Sequence, residues 1–94
     1  MKTVRDKECS WFVYIIEASS GRLYTGVTTD VSRRYKEHLA VYDQKGRKGA
    51  KFFRGDKPVS VVYQEACESK SLALKREYYI KTLSRARKQA LICQ

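Results

Sequence analysis

The apolar positions change period along the chain, and those changes mark out its elements. Ser10 to Glu17 (SWFVYIIE) is a β-branched and aromatic run without polar alternation at its centre, as a strand buried on both faces requires. Ala18 to Gly21 has the composition of a turn. Arg22 to Thr28 (RLYTGVT) is a second extended run, so the two are expected to pair as a β-hairpin. Gly26 inside it points to a close backbone approach or a bulge. The period then lengthens: Val31, Tyr35, Leu39 and Tyr42 recur at i, i+4, i+8 and i+11, the stripe of an amphipathic helix, with Thr29 or Asp30 placed to cap it.

Residues 43 to 58 lose periodicity. Gly46, Gly49, Gly55 and Pro58 alternate there with Lys45, Arg47, Lys48, Lys51, Arg54 and Lys57, the composition of a basic loop. Val59 to Ala66 (VSVVYQEA) predicts a third strand. Ser69 can cap a helix to about Thr82, with Leu72, Leu74, Tyr79, Ile80 and Leu83 as its apolar positions, and Ser84 a last short helix to about Ile92. The predicted order is ββαβαα. It describes an α/β (α+β) domain over residues 1–94, with its core at about 10–92, in which helices flank a three-stranded antiparallel sheet.

Ninety-four residues allow one modest core, and a 43% apolar content excludes a disordered tail. The longest apolar run, Trp11 to Ile16, is short of the roughly 20 residues of a spanning helix and the about 7 of a signal-peptide core. A cytoplasmic location is expected, nucleoid-associated in a bacterium. Met1 to Lys7 and Cys93-Gln94 read as dispensable ends. Cys9, Cys67 and Cys93 fit neither a disulfide framework nor a C-x-x-C clamp, so reduced thiols are expected; zinc would need His38 with scattered thiols and is set aside.

Charge adds a function class. The net charge is +10, with 7 basic and 6 acidic residues in 1–44 but 13 and 4 in 45–94. Solubility alone accounts for a magnitude of about 2 to 8 in a small domain. A larger, one-sided excess points to a polyanion-binding face, and nucleic acid is the partner expected.

Candidate chemistry lies on three elements. Tyr14 and Tyr24 sit ten residues apart across the tight turn, and register decides whether they share a face. Tyrosine is also simply a good strand former. In the first helix Arg34 and His38 lie one turn apart beside the apolar stripe, a cation and an imidazole at the rim of the core; Arg33 points further round, toward solvent or phosphate. A histidine so placed is more often structural than catalytic. Between Lys70 and Lys88 seven basic residues surround one carboxylate, Glu77. Two accounts of it stay open: an i, i+4 ion pair with Lys81, or a ligand for a hard divalent cation.

Together, Phe12-Val13-Tyr14, Tyr24-Thr25-Gly26, Arg34, His38 and Glu77 resemble the GIY-YIG nuclease family, over about residues 11 to 92. The stretches WFVYII, LYTGVTTDVSRRYKEH and SLALKREYYIK look like its small stand-alone subgroup, typified by bacterial YhbQ-like proteins. The resemblance implies catalytic roles for Tyr14, Tyr24, Arg34 and His38, with Gly26 as the motif glycine. It implies one Mg²⁺ or Mn²⁺ ion on Glu77, with Lys81 as an auxiliary group. Phe12 and Val13 replace the Gly-Ile of the name. Val27 stands where some members have lysine, and the chain has no asparagine where others use one, so the catalytic set is reduced.

The expected mechanism has Tyr14 or Tyr24, its phenol pKa lowered by nearby cations, activate a water while His38 relays the proton. Arg34 neutralises the phosphate, and the metal on Glu77 stabilises the leaving oxygen. Lys45, Arg47, Lys48, Lys51, Arg54 and Lys57, with Arg33, Arg85, Arg87 and Lys88, are expected to contact phosphates without reading bases. The expected activity is metal-dependent endonuclease cleavage of DNA by structure more than by sequence, in repair or processing, with a protein partner as a further source of targeting. The alternatives are a noncatalytic nucleic-acid-binding accessory module of the same fold, and a protein-interaction module.

Overall fold

The computed structural model describes residues 10–94; the expectations for Cys9 and for Met1 to Lys7 lie outside them. Its sheet has the order β2-β1-β3, from β1 (Trp11–Ala18), β2 (Leu23–Thr28) and β3 (Pro58–Cys67), with both pairings antiparallel. The central place of β1 accounts for its unbroken apolar run, because both of its faces are covered. Val13 and Ile15 pack on one side with Cys67, Ala73 and Ile80, whereas Tyr14, Ile16 and Ala18 pack on the other with Phe53.

Among the described residues three helices cover these faces. α1 (Val31–Tyr42) lies on the Tyr14 side, while α2 (Lys70–Lys81) and α3 (Arg85–Ile92) lie on the Val13 side. Each starts where a side-chain oxygen accepts a backbone N–H that would otherwise lack a partner. Asp30 accepts from Arg33 N at 3.0 Å, Ser69 from Leu72 N at 3.1 Å and Ser84 from Arg87 N at 3.2 Å. Of the two candidate caps for α1, Asp30 is the one used. Among the described residues no helix is long and apolar enough to cross a membrane.

Two expectations need correction. The basic stretch 43–58 carries a single 3₁₀ turn, Lys51–Arg54, which drives Phe53 fully into the core against β1. The apolar face of α2 differs in part from expectation: Ile80 is buried, but Leu72, Leu74 and Tyr79 are 47, 43 and 51% exposed, and Ala73 joins Ile80 in the contact with the sheet. Seven residues apart, Ala73 and Ile80 fall on one stripe two turns long, and the small Ala73 lets the helix approach the strands.

Candidate functional site

The register of the β1–β2 hairpin places both tyrosines on one face. Tyr14 stands opposite Gly26 and Ile16 opposite Tyr24, so Tyr14, Tyr24 and Gly26 point to the α1 side, with the two phenol rings 6.3 Å apart. The register runs without interruption from Phe12–Thr28 to Glu17–Leu23, so Gly26 marks a close approach and no bulge. A Cβ at position 26 would lie 2.5 Å from the Tyr14 hydroxyl and 3.1 Å from the Tyr24 ring. The glycine is needed because the Tyr14 side chain occupies that space.

His38 is fully buried, not at the rim of the core as the helical spacing suggests. The 3₁₀ turn and the segment before it close over it: the His38 ring is 4.6 Å from that of Phe53, and Gly49 packs against the backbone of Glu37 and His38. Both ring nitrogens are engaged. The Ala50 amide donates to Nδ1 at 3.0 Å, and Nε2 lies 2.9 Å from the Tyr14 hydroxyl oxygen. Burial, with Arg34 nearby, pushes the imidazole pKa down to about 4. At neutral pH the ring is therefore uncharged. An Nδ1 that accepts the Ala50 N–H carries no proton, so the proton sits on Nε2 and is donated to Tyr14. This reverses the expected relay: Nε2 already holds a proton and cannot take the one from Tyr14.

The phenol of Tyr14 also departs from expectation. Burial, and secondarily the neighbouring Tyr24, raise its pKa, while Arg34 pulls in the opposite direction without prevailing. Arg34 is half-buried, and its Nη1 donates to Glu37 Oε1 at 2.8 Å and to the Lys48 carbonyl at 2.7 Å, tying the basic loop to α1. Arg33 is exposed, 3.6 Å from Glu37, with Nη2 3.4 Å from the Thr28 hydroxyl. The negative charge of Glu77 adds to the rise in the Tyr14 pKa, so α2 brings its one carboxylate within electrostatic reach of the tyrosine from the other layer.

The ion pair expected for Glu77 is present, Oε2 to Lys81 Nζ at 3.2 Å with the lysine largely exposed. Such a pair is worth at most about 1 kcal/mol, a weak competitor for a divalent cation. Among the described residues no three His, Cys, Asp or Glu side chains cluster as metal ligands. One carboxylate, completed by water and phosphate oxygens, is the donor set of a Mg²⁺-type ion.

The basic residues separate into distinct surfaces. Arg47, Lys51 and Arg54 line a cavity of about 580 Å³ with Gln44 and Gly49; Lys45 and Lys48 are exposed in the same loop, and Lys57 is exposed at its far end, where its carbonyl accepts from Ser19 N of the hairpin turn. The C-terminal cations divide by helical phase: Arg85 and Lys88 face a cleft with Arg22, Leu23 and Phe52, while Arg87 lies elsewhere, beside Arg76 and Tyr79. Sequence reasoning missed Arg22, Gly49, the Ala50 amide, Phe52, Phe53 and Asp56. The adjacent aromatics Phe52-Phe53 in an otherwise basic stretch were the available signal, since such a pair seeks a core. Asp56 is buried and accepts from Ser19 Oγ at 3.2 Å, Ser20 N at 3.1 Å, Ser20 Oγ at 2.6 Å and Arg22 Nε at 3.1 Å, which pins the hairpin turn to the loop.

Residues 10–90 match the GIY-YIG catalytic domain. The chain is 47% identical over 83 residues to a UPF0213 protein of Desulfotalea psychrophila, spanning 88% of this chain and 71% of that one. It is 42% identical over 84 residues to the UPF0213 protein YhbQ of Escherichia coli K12, spanning 89% and 78%. A solution NMR structure of a UPF0213 protein from Bacillus halodurans is similar at a TM-score of 0.54 and 43% identity, covering 88% of this chain and 82% of that one.

Proposed function

Because this chain belongs to the GIY-YIG catalytic-domain family, we propose that it is a metal-dependent endonuclease hydrolysing nucleic-acid phosphodiester bonds. Its proposed substrate is DNA, selected by structure more than by sequence, with a role in repair or processing. The observation that carries this reading is the convergence on one phenol. The Tyr14 hydroxyl takes a hydrogen bond from His38, lies over Gly26 beside Tyr24, and feels the charges of both Arg34 and Glu77.

Hydrolysis requires an activated water, neutralisation of charge on phosphorus, and a stabilised leaving oxygen. Tyr14 holds the attacking water through its hydroxyl and takes the water proton in its ionised form. The His38 Nε2–H and the Arg34 guanidinium both favour that form against the cost of burial. Tyr24 is the second phenol of the site. Arg34 binds the scissile phosphate by exchanging the Lys48 carbonyl for a phosphate oxygen. Glu77, now paired with Lys81, would hold a Mg²⁺ or Mn²⁺ ion, which when bound would supply charge stabilisation to the phosphate and the leaving oxygen.

A noncatalytic nucleic-acid binder is the second reading. The raised pKa of Tyr14 favours it, since a phenol held above its ordinary value of about 10 is a poor base at neutral pH. One experiment separates the two: labelled single-stranded, duplex and branched DNA with an RNA control, incubated in Mg²⁺, Mn²⁺ or EDTA with the wild type, Glu77→Ala and Tyr14→Phe. The nuclease reading requires metal-dependent cleavage that falls at least about a hundredfold in both variants. Salt-sensitive binding by all three proteins without cleavage would establish the binder instead.

A further inference from the structure

The cleft along the outer edge of β2 is the strongest feature outside the tyrosine site. Arg22, Leu23, Phe52, Arg85 and Lys88 line it, and it holds about 240 Å³. It is smaller than the roughly 300 to 1,000 Å³ of typical small-molecule pockets. Three of its five lining residues are cationic and none is acidic. Arg85 and Lys88, three residues apart, share one face of α3, where like charges repel unless an anion offsets them.

The nearby acid cannot serve as that anion. Asp56 is buried and already accepts from both serines of the hairpin turn and from Arg22 Nε. It instead holds the Arg22 guanidinium in place, 4.5 Å above the centre of the Phe52 ring. Among the described residues the two Nη groups of Arg22 have no hydrogen-bond partner, so they remain free for an external acceptor. Arg85 is placed from the opposite side, with its Nη2 4.0 Å from where a Cβ of Gly21 would stand. The hairpin turn and Asp56 thus fix the Arg22 guanidinium at the opening before any ligand arrives, which lowers the entropic cost of binding, and Arg85 reaches the same opening from α3.

The location makes the cleft specific. The ring of Phe52, its floor, is 5.3 Å from that of Tyr24, and Tyr24 is 6.3 Å from Tyr14. We infer that Arg22, Arg85 and Lys88 form a phosphate subsite for the bound strand, taking a backbone phosphate of a nucleotide flanking the one at Tyr14. Phe52 couples this subsite to the tyrosines. The inference rests on the nucleic-acid reading above and extends it by assigning the path of the strand along the β2 edge. Arg22 and Phe52 carry no signal for this role in the sequence.

The test is binding of a fluorescein-labelled oligonucleotide, followed by anisotropy from about 50 to 200 mM salt. Arg85→Glu/Lys88→Glu is compared with Lys36→Glu/Lys75→Glu, an equal charge change at exposed positions away from the cleft. The cleft variant is expected to bind about tenfold more weakly, and its salt slope to fall by about 2 against wild type. On a cleaved substrate it should raise KM and leave kcat in place. Arg85→Gln/Lys88→Gln, with circular dichroism of every variant, separates lost contacts from lost folding. Equal effects of the two Glu pairs, or none from the cleft pair, would overturn the subsite while leaving the nuclease reading intact. Salt-insensitive or absent binding by the wild type would overturn both.

Discussion

The hydroxyl oxygen of Tyr14 and Nε2 of His38 lie 2.9 Å apart in the core, and the hydrogen bond between them runs from the imidazole to the phenol. The Ala50 amide fixes that direction by occupying Nδ1. His38 therefore orients Tyr14 and supports its ionised form without accepting its proton. Since this is the only histidine in the chain, its ring resonances are unambiguous. ¹⁵N-resolved NMR at pH 7 should show a protonated Nε2 and an unprotonated Nδ1, with no titration near 6.5. A protonated Nδ1, or an ordinary midpoint, would refute the assignment.

Stability should fall in acid for the same reason. The folded imidazole titrates near 4, against 6.5 for an exposed one. Between those values the unfolded chain binds a proton that the folded chain does not, so stability is full above pH 6.5 and is lost as pH falls toward 4. At about 1.4 kcal/mol per unit, urea unfolding at pH 5 should give a stability about 2 kcal/mol below that at pH 7. Equal stabilities at the two pH values would mean that His38 is protonated without cost in the fold.

Three glycine substitutions should separate sharply. Gly26→Ala drives a methyl into the Tyr14 hydroxyl, and Gly49→Ala drives one into the backbone of Glu37 and His38, whereas a Cβ at Gly55 meets nothing within 4 Å. The first two should each cost about 1 to 3 kcal/mol, with Gly49→Ala the worse because backbone yields less readily than a ring. Gly55→Ala should stay within about 0.5 kcal/mol of wild type. Thermal melts of the three variants check the order.

Phe53→Ala should lower stability by about 3 to 5 kcal/mol, because it empties a fully buried site against β1. It also removes an aromatic wall from His38 and Tyr24. Phe53→Leu keeps most of the volume and should lose less. Chemical denaturation of both variants measures the difference, and a near-neutral Phe53→Ala would remove the 3₁₀ turn from the core.

Changing Lys48, Lys51 and Arg54 together to Glu should weaken nucleic-acid binding and flatten its salt dependence, as expected of a phosphate-contacting loop. All three are exposed, so folding should persist. An unchanged slope of affinity against salt would remove the loop from the interface.

Much of this protein was legible locally. The apolar run of β1, the stripe of α1 and the caps Ser69 and Ser84 depend on residues within a few positions of each other, so period and composition sufficed to place them. The resemblance to the family likewise rests on residue identities at fixed spacings. Tertiary structure decided the rest. The Tyr14–Gly26 register set which face the tyrosines share, and the return of residues 49–53 across α1 buried His38 and selected its tautomer. The turn of α3 divided Arg85 and Lys88 from Arg87 and brought the first two to Arg22. Burial then raised the Tyr14 phenol although cations lie close to it. These outcomes depend on contacts between residues 12 to more than 60 positions apart. Local periodicity holds no record of such contacts, and desolvation, which depends on all the atoms surrounding a group, exists only once the layers have packed.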